Sequence, residues 1–144
     1  MKVFTIGFTK KSAEQFFARP KQPGLARVVD VRLNNLSQLA GFTKLDDLAF
    51  FLREVAQLEY VHLPVLAPTQ ELLDACTKDG GDWATYQSRF LDLLAERRIE
   101  TAVDRALLDG ACLLCSEPTP HRCHRRLVAE YLADKWGNFE IQHL

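Results

Sequence analysis

The sequence predicts an α/β fold: a single three-layer domain, with a mostly parallel sheet of about five strands and helices on both faces. Three observations predict it. Short apolar runs of strand length alternate with segments of helical period, the pattern of successive βαβ units. The chain has 144 residues, enough for one core and too few for two ordinary domains. Apolar residues make up 47% and charged residues 26%, a globular balance that excludes disorder as the main state. No repeat, low-complexity stretch or linker divides the chain, so residues 1–144 are expected to form one domain.

Val3 to Gly7 reads as the first strand. Ser12-Ala13-Glu14-Gln15 has capping-box spacing and opens a short helix, which Pro20 and Pro23-Gly24 end. Ala26 to Leu33 reads as the second strand, apolar on both faces except for Asp30 and Arg32. After the polar stretch Asn34 to Gly41, Thr43 with Asp46 caps a helix. Leu45, Leu48, Ala49, Leu52, Val55 and Ala56 trace its buried stripe. Tyr60 to Leu63 is the third strand, stopped by Pro64. Helical segments follow at Gln70 to Cys76, Trp83 to Arg97 and Ile99 to Leu108, with Gly80-Gly81 separating the first two. Asp109-Gly110 turns the chain into a fourth strand, Ala111 to Cys115. Thr119-Pro120 reads as N-cap and first helical position of a helix to about Trp136. Phe139 to Leu144 forms a last short strand.

Charge and composition narrow the function. Lys plus Arg number 18 and Asp plus Glu 19, so no global field recruits nucleic acid or an anionic membrane, and nucleic-acid binding would need a local patch. No apolar run approaches the ~20 residues that span a bilayer. The amino terminus lacks a signal-peptide pattern, and four cysteines are unevenly spaced. These features predict a cytoplasmic protein whose cysteines are thiols rather than a disulfide framework.

The informative segment is Leu113 to Arg125. It joins the carboxyl end of a buried strand to a helix start, where open α/β sheets place their ligands. It holds Cys115, Glu117, His121, Arg122, Cys123, His124 and Arg125. A helix start offers free N–H groups and partial positive charge, which suit an anion. Cys112 and Cys115 have C-x-x-C spacing, but on a strand they face opposite sides about 10 Å apart and cannot share a metal. Cys115, Cys123 and His124 are the alternative zinc set; otherwise no cofactor is expected. A phosphatase-type loop would need arginine six residues after Cys115, where His121 stands. On the last helix Cys123 aligns with Leu127 and Tyr131, and His124 with Val128 and Leu132, so both point under the helix, while Arg125 begins the exposed edge. The plain alternative is a buried cysteine and a hydrogen-bonded core histidine.

Other strand ends converge on this corner if the sheet is parallel. Asp30 and Arg32 share a face near the end of the second strand, either as a structural ion pair or as an Arg32 fork for an anion steadied by Asp30. His62 ends the third strand. Gly7 ends the first, where bare backbone can approach a ligand.

The chain resembles domain-of-unknown-function family 488, a prokaryotic family. The resemblance rests on Thr5-Ile6-Gly7, Val29-Asp30-Val31-Arg32, Tyr60-Val61-His62-Leu63-Pro64, Tyr86 and the C-x-E-x-x-P-x-x-C-H-R core from Cys115 to Arg125. It implies an α/β fold with a central parallel sheet and supplies no reaction. Phe8-Thr9 and Leu33-Asn34-Asn35 depart from the family pattern, which bears on ligand choice.

These residues predict a site for a small anionic ligand, phosphate- or nucleotide-like, bound by Gly7, Asp30, Arg32, His62 and Arg125. Cys115 acts as nucleophile or redox thiol, and Glu117 and His124 move protons. The competing readings are a binding module for a ligand or nucleic-acid end, without chemistry, and a zinc-stabilised structural domain. The sequence leaves the oligomeric state open.

Overall fold

The computed structural model describes residues 1–33, 45–78, 82–115, 123–137 and 139–144. Within them, five strands form one sheet: β1 (Lys2–Gly7), β2 (Arg27–Asp30), β3 (Glu59–His62), β4 (Ala111–Cys115) and β5 (Glu140–His143). Their order is β3-β2-β4-β1-β5, and every pairing is parallel. The α/β architecture with a parallel sheet is therefore the one the chain adopts. All five carboxyl ends lie along one edge, with β4 at the centre.

Strands covered on both sides need apolar side chains at every position. β4 shows this, because all five of its residues are buried. Their side chains alternate between faces. Cys112 and Leu114 join Phe4, Ile6 and Val28 on one face, packed with Phe16, Phe17, Leu48 and Leu52. Ala111, Leu113 and Cys115 join Val3, Val29 and Val31 on the other, packed with Phe90, Leu94, Leu127 and Val128.

The first face is covered by α1 (Ala13–Ala18) and α2 (Leu45–Phe51). The capping box at α1 is formed: Gln15 N donates to Ser12 Oγ at 3.2 Å, and Ser12 N donates to Gln15 Oε1 at 3.0 Å. The expected cap at Thr43 lies outside the described residues. α2 runs on into a π-helical turn, Leu52–Ala56. The wider turn shifts the buried stripe, so Leu48, Leu52 and Ala56 are inside while Val55, expected inside, is exposed.

The second face is covered chiefly by α4 (Trp83–Arg97) and α7 (His124–Trp136), with α3 (Gln70–Lys78) beside α4. The helix expected over 99–108 divides into α5 (Ile99–Ala102) and α6 (Arg105–Leu108). Val103 is extended, and Asp104 caps the second piece, its Oδ1 accepting from Ala106 N at 2.9 Å. α7 also starts later than the Thr119-Pro120 signal predicts. Cys123 is extended and forms the N-cap, so the first helical residue is His124.

One consequence of this order positions the site. After β2 the chain goes to the α1/α2 face, and after β4 it goes to the α7 face, yet β2 and β4 are neighbours. Connections that leave adjacent strands toward opposite faces open a crevice at their carboxyl ends.

Candidate functional site

At the end of β2, Asp30 is wholly buried and Arg32 nearly so. A carboxylate in that position is costly unless several donors reach it. Four do. Arg32 donates its Nε to Asp30 Oδ1 at 2.9 Å, its Nη2 to Oδ2 at 2.7 Å and its backbone N to Oδ1 at 3.1 Å, and the Tyr60 hydroxyl donates to Oδ2 at 2.5 Å. The Arg32 guanidinium also lies over the Phe8 ring, 5.5 Å from its centroid. His62 Nε2 lies 2.8 Å from the Arg32 carbonyl and donates to it, since a carbonyl only accepts. Of the two readings of the Asp30–Arg32 pair, the bidentate ion pair is therefore built into the structure.

The end of β4 faces the start of α7. Cys115 and Cys123 are both almost wholly buried, with their sulfurs in contact and their Cα atoms 7.7 Å apart. The sequence expectation of separate thiols is corrected by this contact. It arises because the extended N-cap residue Cys123 turns its side chain back toward the strand end.

Arg125 is the larger correction. Read from the sequence as the start of an exposed edge, it is the largest fully buried side chain among the described residues. Its Nη1 lies 3.2 Å from Cys115 Sγ and 3.8 Å from Cys123 Sγ. A guanidinium taken out of water needs electron-rich partners, and the two sulfurs are ones it meets.

His124 points under α7, as its helical spacing predicts. Its Nε2 lies 2.8 Å from the Val31 carbonyl, and its ring meets Phe90 edge-on. Burial, reinforced by the charge of Arg125, pushes its pKa down to about 4 against the opposing pull of the Val31 carbonyl and Asp30. The ring is then neutral at neutral pH. Because Nε2 carries the proton given to Val31, the lone pair resides on Nδ1.

Positive charge gathers around this corner. Lys11 has its pKa lowered by burial first, then by Arg19 and Arg125. His143, at the end of β5, is lowered by burial and then by Arg125, and its Nδ1 lies 2.6 Å from Thr5 Oγ1. Cys112 marks the contrast. It sits on the opposite face of β4, and burial pushes its thiol far up.

The structure thus brings Cys115, Cys123, His124 and Arg125 together, with Asp30, Arg32 and His62 at the neighbouring strand ends. Gly7 pairs in register with Cys115, so the end of β1 borders the thiol. Glu117 lies outside the described residues. Sequence reasoning missed Tyr60, whose hydroxyl completes Asp30, and Lys11, on which the Arg125 charge acts. The Tyr60 signal was available, because a tyrosine two residues before a strand-end histidine faces the same side of the sheet as that histidine.

A family profile, domain of unknown function DUF488, matches residues 12–132. No curated protein and no solved structure matches the chain.

Proposed function

The chain belongs to the DUF488 family, and from the chemistry of its strand-end corner we propose a thiolate-dependent enzyme site for a small anionic ligand. The observation that carries this reading is Arg125: a buried guanidinium in contact with both sulfurs, whose charge also reaches Lys11, His124 and His143. Cys115 as thiolate and neutral His124 are two Lewis bases a few ångströms apart at a β-strand end. Titratable groups with displaced protonation in a crevice mark sites of chemistry more often than idle core. Lys11 and Arg125 supply positive charge, and the carboxyl ends of β2 and β4, where the connections part to opposite faces, supply the place. Arg32 borders it through the Asp30 pair. Its role is to border the ligand at the end of β2, with Asp30 and Tyr60 fixing its orientation. A phosphate- or carboxylate-bearing molecule matches these groups.

Inorganic phosphate, followed by amide chemical shifts, tests the reading. Saturable shifts are expected at Gly7, Arg32 and the start of α7. Arg125→Met and Arg32→Ala should weaken binding by about tenfold or more, as loss of a charge-assisted contact worth 1.5–3 kcal/mol requires. Arg53→Ala is the control, because Arg53 is exposed and paired to Glu54. Equal affinity in all three variants removes the anion site from this corner.

A further inference from the structure

We infer that Cys115, Cys123 and His124 bind a divalent zinc-type cation, which makes the strand-end corner a metal site. The inference deepens the preceding reading, because both sulfurs must ionise to serve as ligands. One donor atom from each of the three residues lies within 4.8 Å of the other two. Two thiolates and an imidazole are the donor set that zinc takes in preference to harder cations.

The backbone frame favours a metal over a direct sulfur–sulfur bond. Relaxed disulfides hold their Cα atoms about 4.4–6.8 Å apart, and here the separation is 7.7 Å. Two thiolates on one tetrahedral zinc, each about 2.3 Å from it, stand roughly 3.8 Å from one another. The wide frame gives the two cysteine side chains room to rotate apart to that spacing. A relaxed disulfide would instead need the backbone to close.

The surrounding hydrogen bonds also fit. A histidine that ligates through one ring nitrogen usually gives its other N–H to a carbonyl or carboxylate, which fixes tautomer and orientation. His124 does so, with Nε2 on the Val31 carbonyl and Nδ1 left for the cation. Arg125 Nη1 stands where an N–H bond to a ligating sulfur belongs. Two thiolates, a dication and a neutral imidazole sum to zero, and zinc entry sends any protons still on the sulfurs to solvent. Three protein ligands and one open position is the pattern of catalytic zinc sites. An anion drawn by Arg125 and Lys11 would take that position.

The full chain, purified under reducing conditions and stripped with a chelator, is titrated with zinc and separately with cobalt. One zinc per chain should be retained through gel filtration. Cobalt should give the intense visible bands of a tetrahedral site together with thiolate-to-metal charge transfer in the near ultraviolet. Cys115→Ser and His124→Ala should each lose retention, whereas Cys112→Ala should keep it, and Arg125→Met should weaken it by about 10–100-fold as outer partners do. Because Cys115→Ser alters a buried position, alkylation of the unmodified chain provides a second readout. Zinc should protect Cys115 and Cys123 from alkylation, and chelator should restore it. A fully reduced chain that retains no zinc, octahedral cobalt without thiolate bands, or zinc that leaves Cys115 and Cys123 open to alkylation overturns the metal site. Those results leave the anion reading standing, since phosphate binding is measured on metal-free protein. Zinc retained by a chain that binds no phosphate supports the metal site and sinks the anion reading alone.

Discussion

The two ends of the sheet carry charge in opposite ways. At the amino ends, the first residues of strands pair across the surface: Lys2 of β1 with Glu140 of β5, and Arg27 of β2 with Glu59 of β3. Both glutamates are at least 70% exposed. At the carboxyl ends, Asp30 and Arg32 are 0% and 6% exposed, and Arg125 is buried against two sulfurs. Exposed pairs contribute little and are screened, whereas buried charges are costly unless every partner is in place. A chain that sought only stability would have placed its charges as the amino ends do. The carboxyl ends carry buried charge together with two cysteine sulfurs and a neutral histidine, the composition that the proposed site requires.

The comparison can be broken most forcefully at Asp30. Asp30→Asn leaves Arg32 buried without its counter-charge and is expected to destabilise the fold by about 3–5 kcal/mol, measured by urea unfolding. A loss below about 1 kcal/mol would place this pair in the same class as the surface ones.

Next in size is a pH effect from His124. Its folded pKa, about 4, lies below the value near 6.5 of free imidazole, so the unfolded chain binds the extra proton. The stability it contributes is present above the unfolded value and is lost as pH falls toward the folded one. The slope in that window is at most about 1.4 kcal/mol per pH unit. His124→Gln in metal-free protein should flatten it, and an unchanged slope would assign the effect elsewhere. At the amino ends, Glu59→Gln and Glu140→Gln are each expected to change stability by only about 0–1 kcal/mol, and less in high salt. A larger loss at either position would erase the distinction between the two ends.

Much of the fold was legible because strands buried on both faces announce themselves as continuous apolar runs. Ala111 to Cys115 and the helix from Trp83 to Arg97 fall where the pattern puts them. The misses share a cause. Val103-Asp104 splits a helix because one side-chain cap outweighs a continuous helical period, and the π turn rotates Val55 outward by inserting a wider step. Both are local events below the resolution of periodicity. At the site, Cys115, His124 and Asp30 were legible from residue type and position at a strand end or helix start. Arg125 was not. Arginine on a helix reads as surface, and its meeting with Cys115 and Cys123 is non-local, so no sequence pattern shows it. The face that Tyr60 takes was legible from its spacing to His62, whereas its partner, Asp30 on the neighbouring strand, was not.

The central claim is that the carboxyl-end corner ionises what the sheet's interior keeps inert. Cys112 and Cys115 test it within one strand, as both are almost fully buried and three residues apart on opposite faces. In reduced, metal-free protein, a small alkylating agent read by mass spectrometry should label Cys115 at neutral pH well before Cys112. Arg125→Met should remove most of that difference. Equal labelling of the two cysteines, or a Cys115 rate that ignores Arg125, would contradict the account and leave the corner as packed core.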